Sequence, residues 1–272
     1  MKNAISIDVE DWFCANNISE IIDVKKWEQC ESRIRRNTFK ILSILSSKGV
    51  KATFFVLGWI ADRYPEIVVK ISSEGHEIAT HGYSHSLLTK ITPQEFEKDL
   101  CKSIETIGRY TDQEIIGFRA PSFSITRATF WAFDVLKKQK IKYDSSIFPV
   151  KYHPDYGVPD VPEGPYKVQD GLWEFPLSCF NVFGENVPCS GGGYFRVFPY
   201  FFTRYGIRKC NNYGRPVVFY LHPWEVDPDL PRIGLSFMKK FRHYYNLKKT
   251  EERLEWLLDD FEFTTIKEVL KL

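Results

Sequence analysis

A chain of 272 residues with 43% hydrophobic and 16% aromatic content can bury a large core, and motifs spread along its whole length favour a single domain over residues 1–272. A net charge of +2 argues against nucleic acid as a partner, and no run of about 18 apolar residues marks a membrane span. The N-terminal residues enter a strand pattern without a signal-peptide core, and six cysteines form no Cys-x-x-Cys pair, so packed thiols in the cytoplasm are expected.

Residues 4–9 form a short apolar strand, and residues 33–48 repeat apolar side chains at helical spacing until Gly49. Residues 51–57 are β-branched and aromatic, hence a strand; 59–73 read as one helix and 76–80 as the next strand. Thr92-Pro93-Gln94-Glu95 is a capping box opening a helix to Gly108. Residues 115–119 read as a strand, 128–138 as a helix, 172–177 as a strand, 200–211 as a helix and 216–221 as a buried strand. Thr250-Glu251-Glu252 is expected to cap a last long helix. Residues 151–171, rich in Pro, Gly and Asp, read as a long loop over the site. Repeated β–α alternation with buried strands means a parallel sheet.

Four motifs sit at the C-terminal ends of these strands, which fits a barrel better than a single crevice. His81 and His85 have the spacing that puts two imidazoles on one face of a helical turn, within reach of one ion. Asp8, Glu10 and Asp11 crowd three carboxylates into four residues, a cluster that calls for a cation. Asp8, nearest the strand, is the natural general base, and either Glu10 or Asp11 completes a two-histidine, one-carboxylate metal site. Arg119, between an apolar strand and Pro121, is aimed to hold a carboxylate. His222 leaves the most buried strand and is either a satisfied core histidine or a general acid.

These segments resemble the polysaccharide deacetylase (NodB-homology) family, the fourth carbohydrate esterase family, from Asp8 to His222. The resemblance implies a distorted (β/α)7 barrel and removal of acetyl groups from N-acetylated sugars of a poly- or oligosaccharide. It implies Asp8 as base, His81 and His85 as metal ligands with Glu10 or Asp11, Arg119 with Pro121 holding the base, and His222 as acid. Glu10 is favoured as the ligand because a spacing of two returns it to the side of Asp8 on an extended chain. The expected cofactor is a divalent ion, zinc foremost, with cobalt, nickel or iron also suited to the ligand set.

Asp8-Val9-Glu10-Asp11-Trp12-Phe13, Gly191-Gly192-Gly193-Tyr194-Phe195-Arg196 and His222-Pro223-Trp224-Glu225 resemble a branch found with bacterial exopolysaccharide operons. The family's fourth motif carries an Asp-Trp pair that tunes the acid histidine. This chain keeps Asp144 and lacks the Trp, which leaves Glu174 or Glu225 as substitutes.

A backbone N–H near Ser122 is the expected oxyanion donor, and Pro121, Ser122, Trp173 and Trp224 the substrate contacts. The aromatic and basic run from Tyr194 to Arg208 offers a surface for a membrane carrying lipid-linked glycans, peripheral to the inner membrane. Two rival functions remain: a cyclic amide or imide hydrolase of the same fold, and a non-catalytic glycan-binding protein. The complete set of Asp8, His81, His85, Arg119 and His222 weighs against both.

Overall fold

Residues 1–151 and 156–272 are described by a computed structural model. Its first strand, β1 (Asn3–Val9), is buried along its whole length. Ile5, Ile7 and Val9 face an apolar cluster on one side, while Ala4, Ser6 and Asp8 alternate to the other, which is apolar at its start and polar toward its end.

The remaining strands follow in chain order: β2 (Thr53–Val56), β3 (Glu77–Thr80), β4 (Gly117–Phe118) and β5 (Tyr143–Asp144), then a hairpin of β6 (Tyr166–Gln169) and β7 (Leu172–Glu174). A second hairpin, β8 (Cys179–Val182) and β9 (Glu185–Pro188), precedes β10 (Val218–Leu221) and β11 (Phe263–Thr264). The spatial order is β10-β1-β2-β3-β4-β5-β7-β6, parallel throughout except that β6 runs antiparallel on the outer edge of β7. Among the described residues, the seven parallel strands of that order are those of a distorted (β/α)7 barrel, and β11 joins as a short parallel branch on β1. Around them lie α1 (Ile34–Ser47), α2 (Gly58–Arg63), α3 (Pro65–Ser73), α4 (Pro93–Gly108) and α5 (Ala132–Lys138). The second half adds α6 (Gly192–Val197), α7 (Tyr200–Asn212), α8 (Phe237–Tyr244), α9 (Thr250–Asp260) and α10 (Ile266–Leu270).

Among the described residues no regular ladder closes the ring between β7 and β10, and the chain before α6 fills that opening. Val218 N–H donates to Ser178 Oγ at 3.0 Å, and Tyr220 N–H to Ser190 O at 2.7 Å. Gly191, at φ +129°, bridges Tyr220, where a Cβ would meet Tyr220 O at 1.9 Å; only glycine permits this approach.

Interior side chains stack in layers set by strand register. Low in the barrel, Thr53 Oγ1 and Tyr143 OH donate to Glu77 at 2.5 and 2.8 Å. At the opposite, C-terminal end of the strands stand Asp8, His81, Arg119 and His222.

Several expectations need correction. The helix expected over 59–73 is two helices, because Pro65 lacks an N–H and forces Tyr64 out of the helical region (φ −131°, ψ 57°). The helix expected from residue 128 begins as a 3₁₀ turn, Arg127–Thr129, and becomes α only at Ala132. Thr250 is not a cap: Lys249 holds that position and the Thr250 hydroxyl donates to Asn246 O. Nor is α9 the last helix, since α10 follows, capped by Thr265. The loop expected over 151–171 includes β6, and residues 152–155 of it lie outside the described residues. All six cysteines are free thiols, four of them buried.

Candidate active site

The mouth of the barrel is assembled from strand ends in both halves of the chain. At the end of β1, Glu10 N–H donates to Asp8 O at 2.9 Å, a tight turn that leaves both side chains buried at the same rim. Asp11 turns away. Its carboxylate accepts from Trp12 N–H, Ser32 Oγ, Arg33 N–H and Ile34 N–H at 2.7–3.1 Å, capping the following 3₁₀ turn and tying down the start of α1. With its oxygens so occupied, Asp11 has no capacity left for a metal, whereas Glu10 does.

Glu10, His81 and His85 each present one donor atom, all within 4.8 Å of one another. Glu10 Oε2 is buried and lies 2.6 Å from His85 Nε2 in no hydrogen-bonded alignment, the posture of two donors aimed at a common point. His81 Nδ1 lies 2.8 Å from Arg119 O, which fixes the tautomer with Nδ1–H donating and frees Nε2 as a ligand. Burial pushes the His81 pKa down to about 4 and so keeps the imidazole neutral. Burial alone would raise the Glu10 pKa, but His85 and His222 outweigh it and hold it at about 2, ionised. A neutral histidine and an ionised carboxylate are the protonation states a divalent cation requires. The residues present therefore fit such an ion.

The two histidines do not share a helical face as their spacing suggested. They flank an irregular turn after β3, with Gly82 at φ +76° and His85 at φ +56°. Asp99 of α4 shapes that turn by accepting from Tyr83 N–H, Ser84 N–H and Ser84 Oγ. A Cβ at Gly82 would meet Asp99 Oδ2 at 2.9 Å, so glycine serves both the dihedral and the contact.

Arg119 is fully buried and spends its guanidinium on Asp8 Oδ1 (2.7 Å), Ser6 Oγ (2.8 Å), Ser145 O (2.8 Å) and Ser145 Oγ (2.9 Å), over the ring of Phe55. So many partners for one buried charge make the Asp8–Arg119 pair a fixed unit. Asp8 Oδ2 remains directed toward His222, 3.9 Å from its Nε2.

His222 Nδ1 lies 2.5 Å from Glu225 Oε1, and Glu225 Oε2 accepts from Arg196 Nε at 2.7 Å. Arg196, itself buried, also donates to the carbonyls of Arg242, His243 and Tyr245 at the end of α8. Burial would lower the His222 pKa; Glu10 and Glu225 overcome it and raise it to about 9. Of the two carboxylates expected to support His222, Glu225 does so. Glu174 instead accepts from Ile147 N–H and shares a buried site with Asp144.

Ser122 (φ 51°) and Phe123 (φ 55°) are successive left-handed residues after buried Pro121. Such backbone costs of order 1–3 kcal/mol per residue and persists only where packing imposes it. Here Phe123 is wedged among Phe148, Tyr156 and Tyr220, and Ala120 N–H donates to Ser146 Oγ at 2.7 Å.

The two tryptophans expected to touch substrate are placed otherwise. Trp173 pairs in register with Tyr143, a layer below Arg119, and is not brought to the mouth. Trp224 is buried between His222 and His243 in a stack with centroids 5.4 and 4.9 Å apart, so it backs His222 rather than a substrate. Arg196 and Asp99 are the positions that sequence reasoning missed. The Gly191–Arg196 motif pointed to the first without giving its partner; nothing local to α4 marked the second.

Residues 27–143 match the profile described as polysaccharide deacetylase, and residues 145–271 match a domain of unknown function, DUF3473. A peptidoglycan-N-acetylglucosamine deacetylase of Bacillus cereus is 44% identical over 72 residues, covering 26% of each chain. The chain spans only about a quarter to two fifths of the length of the first curated relatives it matches (26%, 32% and 39%).

Among solved structures, a Mycobacterium smegmatis protein assigned by inference as a polysaccharide deacetylase aligns at TM-score 0.63 and 21% identity, over 98% of this chain and 88% of that one. A Bacillus anthracis pseudoenzyme of the fourth carbohydrate esterase family aligns at TM-score 0.54 and 14% identity, over 99% and 65%. Those identities speak for the fold alone. The barrel is thus the fold of polysaccharide deacetylases, and residues 27–143 carry the match to that family's profile, with DUF3473 adjoining it from residue 145 to residue 271.

Proposed function

We propose that the chain is a metal-dependent N-deacetylase acting on N-acetylated sugars of a poly- or oligosaccharide, with residues 1–272 as one catalytic domain. The observation that carries this reading is the convergence of Glu10, His81 and His85 with Asp8 and His222 at one mouth of the barrel. Glu10, His81 and His85 would hold the divalent ion, zinc foremost, which when bound lowers the pKa of a water toward about 7 and polarises the acetamide.

Asp8 is the base. Arg119 occupies its Oδ1 and leaves Oδ2 to take the proton of the attacking water. His222, kept protonated by Glu225, is the acid: it passes a proton to the leaving amine, a role that contributes about 10²–10⁴-fold. The backbone N–H at Ser122 binds the developing oxyanion, a donor worth about 3–4 kcal/mol. Pro121 and Ser122 line the substrate side, and acetate and a free amino sugar leave. The motif resemblance supports an exopolysaccharide as substrate, and the aromatic and basic run from Tyr194 to Arg208 supports a lipid-linked one handled at a membrane surface.

Elemental analysis of the purified chain beside a His81→Ala/His85→Ala variant, with acetate release from N-acetylated oligosaccharides, tests the reading. About one divalent ion per chain, lost in the variant together with acetate release, is the expected result. A chain that takes up no zinc or cobalt overturns it. So does an Asp8→Asn variant that releases acetate like the parent.

A further inference from the structure

The exposed apolar side chains of α8 form a stripe. Phe237, Met238 and Phe241 of α8 and Tyr245, the residue that follows it, are 83%, 59%, 37% and 41% exposed; Phe237 and Phe241 share one side of the helix, and the Tyr245 ring packs on Phe241 at a centroid distance of 4.5 Å. The chain around them is one-signed. From Leu230 to Thr250 it carries Arg232, Lys239, Lys240, Arg242, Lys248 and Lys249 and no acidic residue. Lys239 is paired with Glu20, while Lys240, Arg242, Lys248 and Lys249 stand exposed.

An apolar stripe beside excess positive charge is the pattern of a helix lying in the plane of an anionic membrane surface. We infer that α8 docks this protein on an anionic lipid bilayer. The helix lies in the excursion that leaves the C-terminal end of β10, the strand end that carries His222, and so belongs to the rim of the mouth. Arg196 ties it to the acid by joining the α8 carbonyls to Glu225, and His243 of α8 completes the stack through Trp224 onto His222. Docking there turns the mouth toward the lipid surface; that this presents a lipid-borne glycan to the site rests on the deacetylase reading, whereas the docking itself does not.

The run from Tyr194 to Arg208, expected from sequence to serve as the membrane surface, is divided: Phe201 and Tyr205 stand exposed, 69% and 56%. Phe195 and Arg196 are buried, and Arg204 and Arg208 pair with Asp260.

Flotation of the full chain with vesicles of phosphatidylcholine alone, and of phosphatidylcholine mixed with phosphatidylglycerol, tests the surface without any activity measurement. Binding to the anionic vesicles only, weakened by salt, is expected. It should fall about fivefold for each lysine removed in Lys240→Ser and Lys240→Ser/Lys249→Ser, and be lost in Phe237→Ser/Met238→Ser, with melting temperatures unchanged. Absence of binding, or equal binding to both vesicle types, overturns the inference. So does concentration-dependent dimerisation without vesicles that Phe237→Ser/Met238→Ser abolishes, because the stripe would then serve a second copy of the chain.

Discussion

His222 meets a carboxylate at each ring nitrogen, Glu225 Oε1 at 2.5 Å from Nδ1 and Glu10 Oε1 at 3.2 Å from Nε2, and Arg196 stands behind Glu225. Glu10 raises its pKa as well, but a cation on Glu10 would cancel that influence and leave Glu225 as the chief support. Glu225 stays ionised because Arg196 and His222 outweigh the burial that opposes its charge. A general acid works in its protonated form, so activity is lost as pH rises through its pKa. Replacing Glu225 with Gln removes the negative charge and lowers that pKa, and the alkaline limb of kcat must move to lower pH. At pH 8 the variant should lose at least about tenfold in kcat, with KM little changed. An alkaline limb that stays in place in Glu225→Gln would show that His222 is not the acid or that Glu225 does not govern it. From sequence, the identity of His222 as an acid candidate was readable; its support was not, because Arg196 lies 29 residues from Glu225 and meets it only after α6 docks against β10.

The turn between β3 and α4 carries both histidines, and its shape comes from α4. Asp99 accepts from the turn at three places, so it would act on the proposed metal site without touching it. Removing such an outer partner typically lowers metal affinity about 10–100-fold. Asp99→Ala should show that loss in a titration with zinc while the stoichiometry stays at one, and a variant that binds zinc like the parent would refute the role. The spacing of His81 and His85 had announced the pair correctly and its geometry wrongly, since i and i+4 brings side chains together on a helix but a Gly82-centred turn does so equally well. Long elements with clear periodicity were legible: β1, α1, β2, β3, α4, α7 and β10 all stand where their patterns put them. The two-residue strands β5 and β11 were not, because so short a segment has no period. The hairpin of β8 and β9 turns at Phe183-Gly184, both with positive φ, a pair that advertises itself only through its glycine.

At the scale of the whole molecule, the two profile matches abut at a seam, residues 143 to 145, that the sheet does not respect. β10 from the second half pairs with β1 from the start of the chain, and β7 pairs with β5 across the seam. Asp144 and Glu174, register partners on that crossing, are fully buried with Asp144 Oδ2 and Glu174 Oε2 lacking partners of their own. Burial raises both carboxyls above their ordinary 3.8 and 4.5, and the charge of Asp144 pushes Glu174 further up, so that the pair holds a proton on Glu174. A carboxyl whose folded pKa exceeds its unfolded value adds stability below the unfolded pKa, and that contribution is lost as pH rises through the folded one. The joint is therefore tightest in mild acid and weakens upward from about pH 4.5. Glu174→Gln keeps the oxygen that accepts from Ile147 N–H and replaces the shared proton with a permanent N–H facing Asp144. Its melting temperature should match the parent's near pH 4 and exceed it at pH 8, by about 2–4 °C for each pKa unit by which the pair is raised. A parent chain whose stability does not decline relative to Glu174→Gln between those two values would mean that the pair ionises without cost. The two halves would then be joined by their ladders and apolar packing alone.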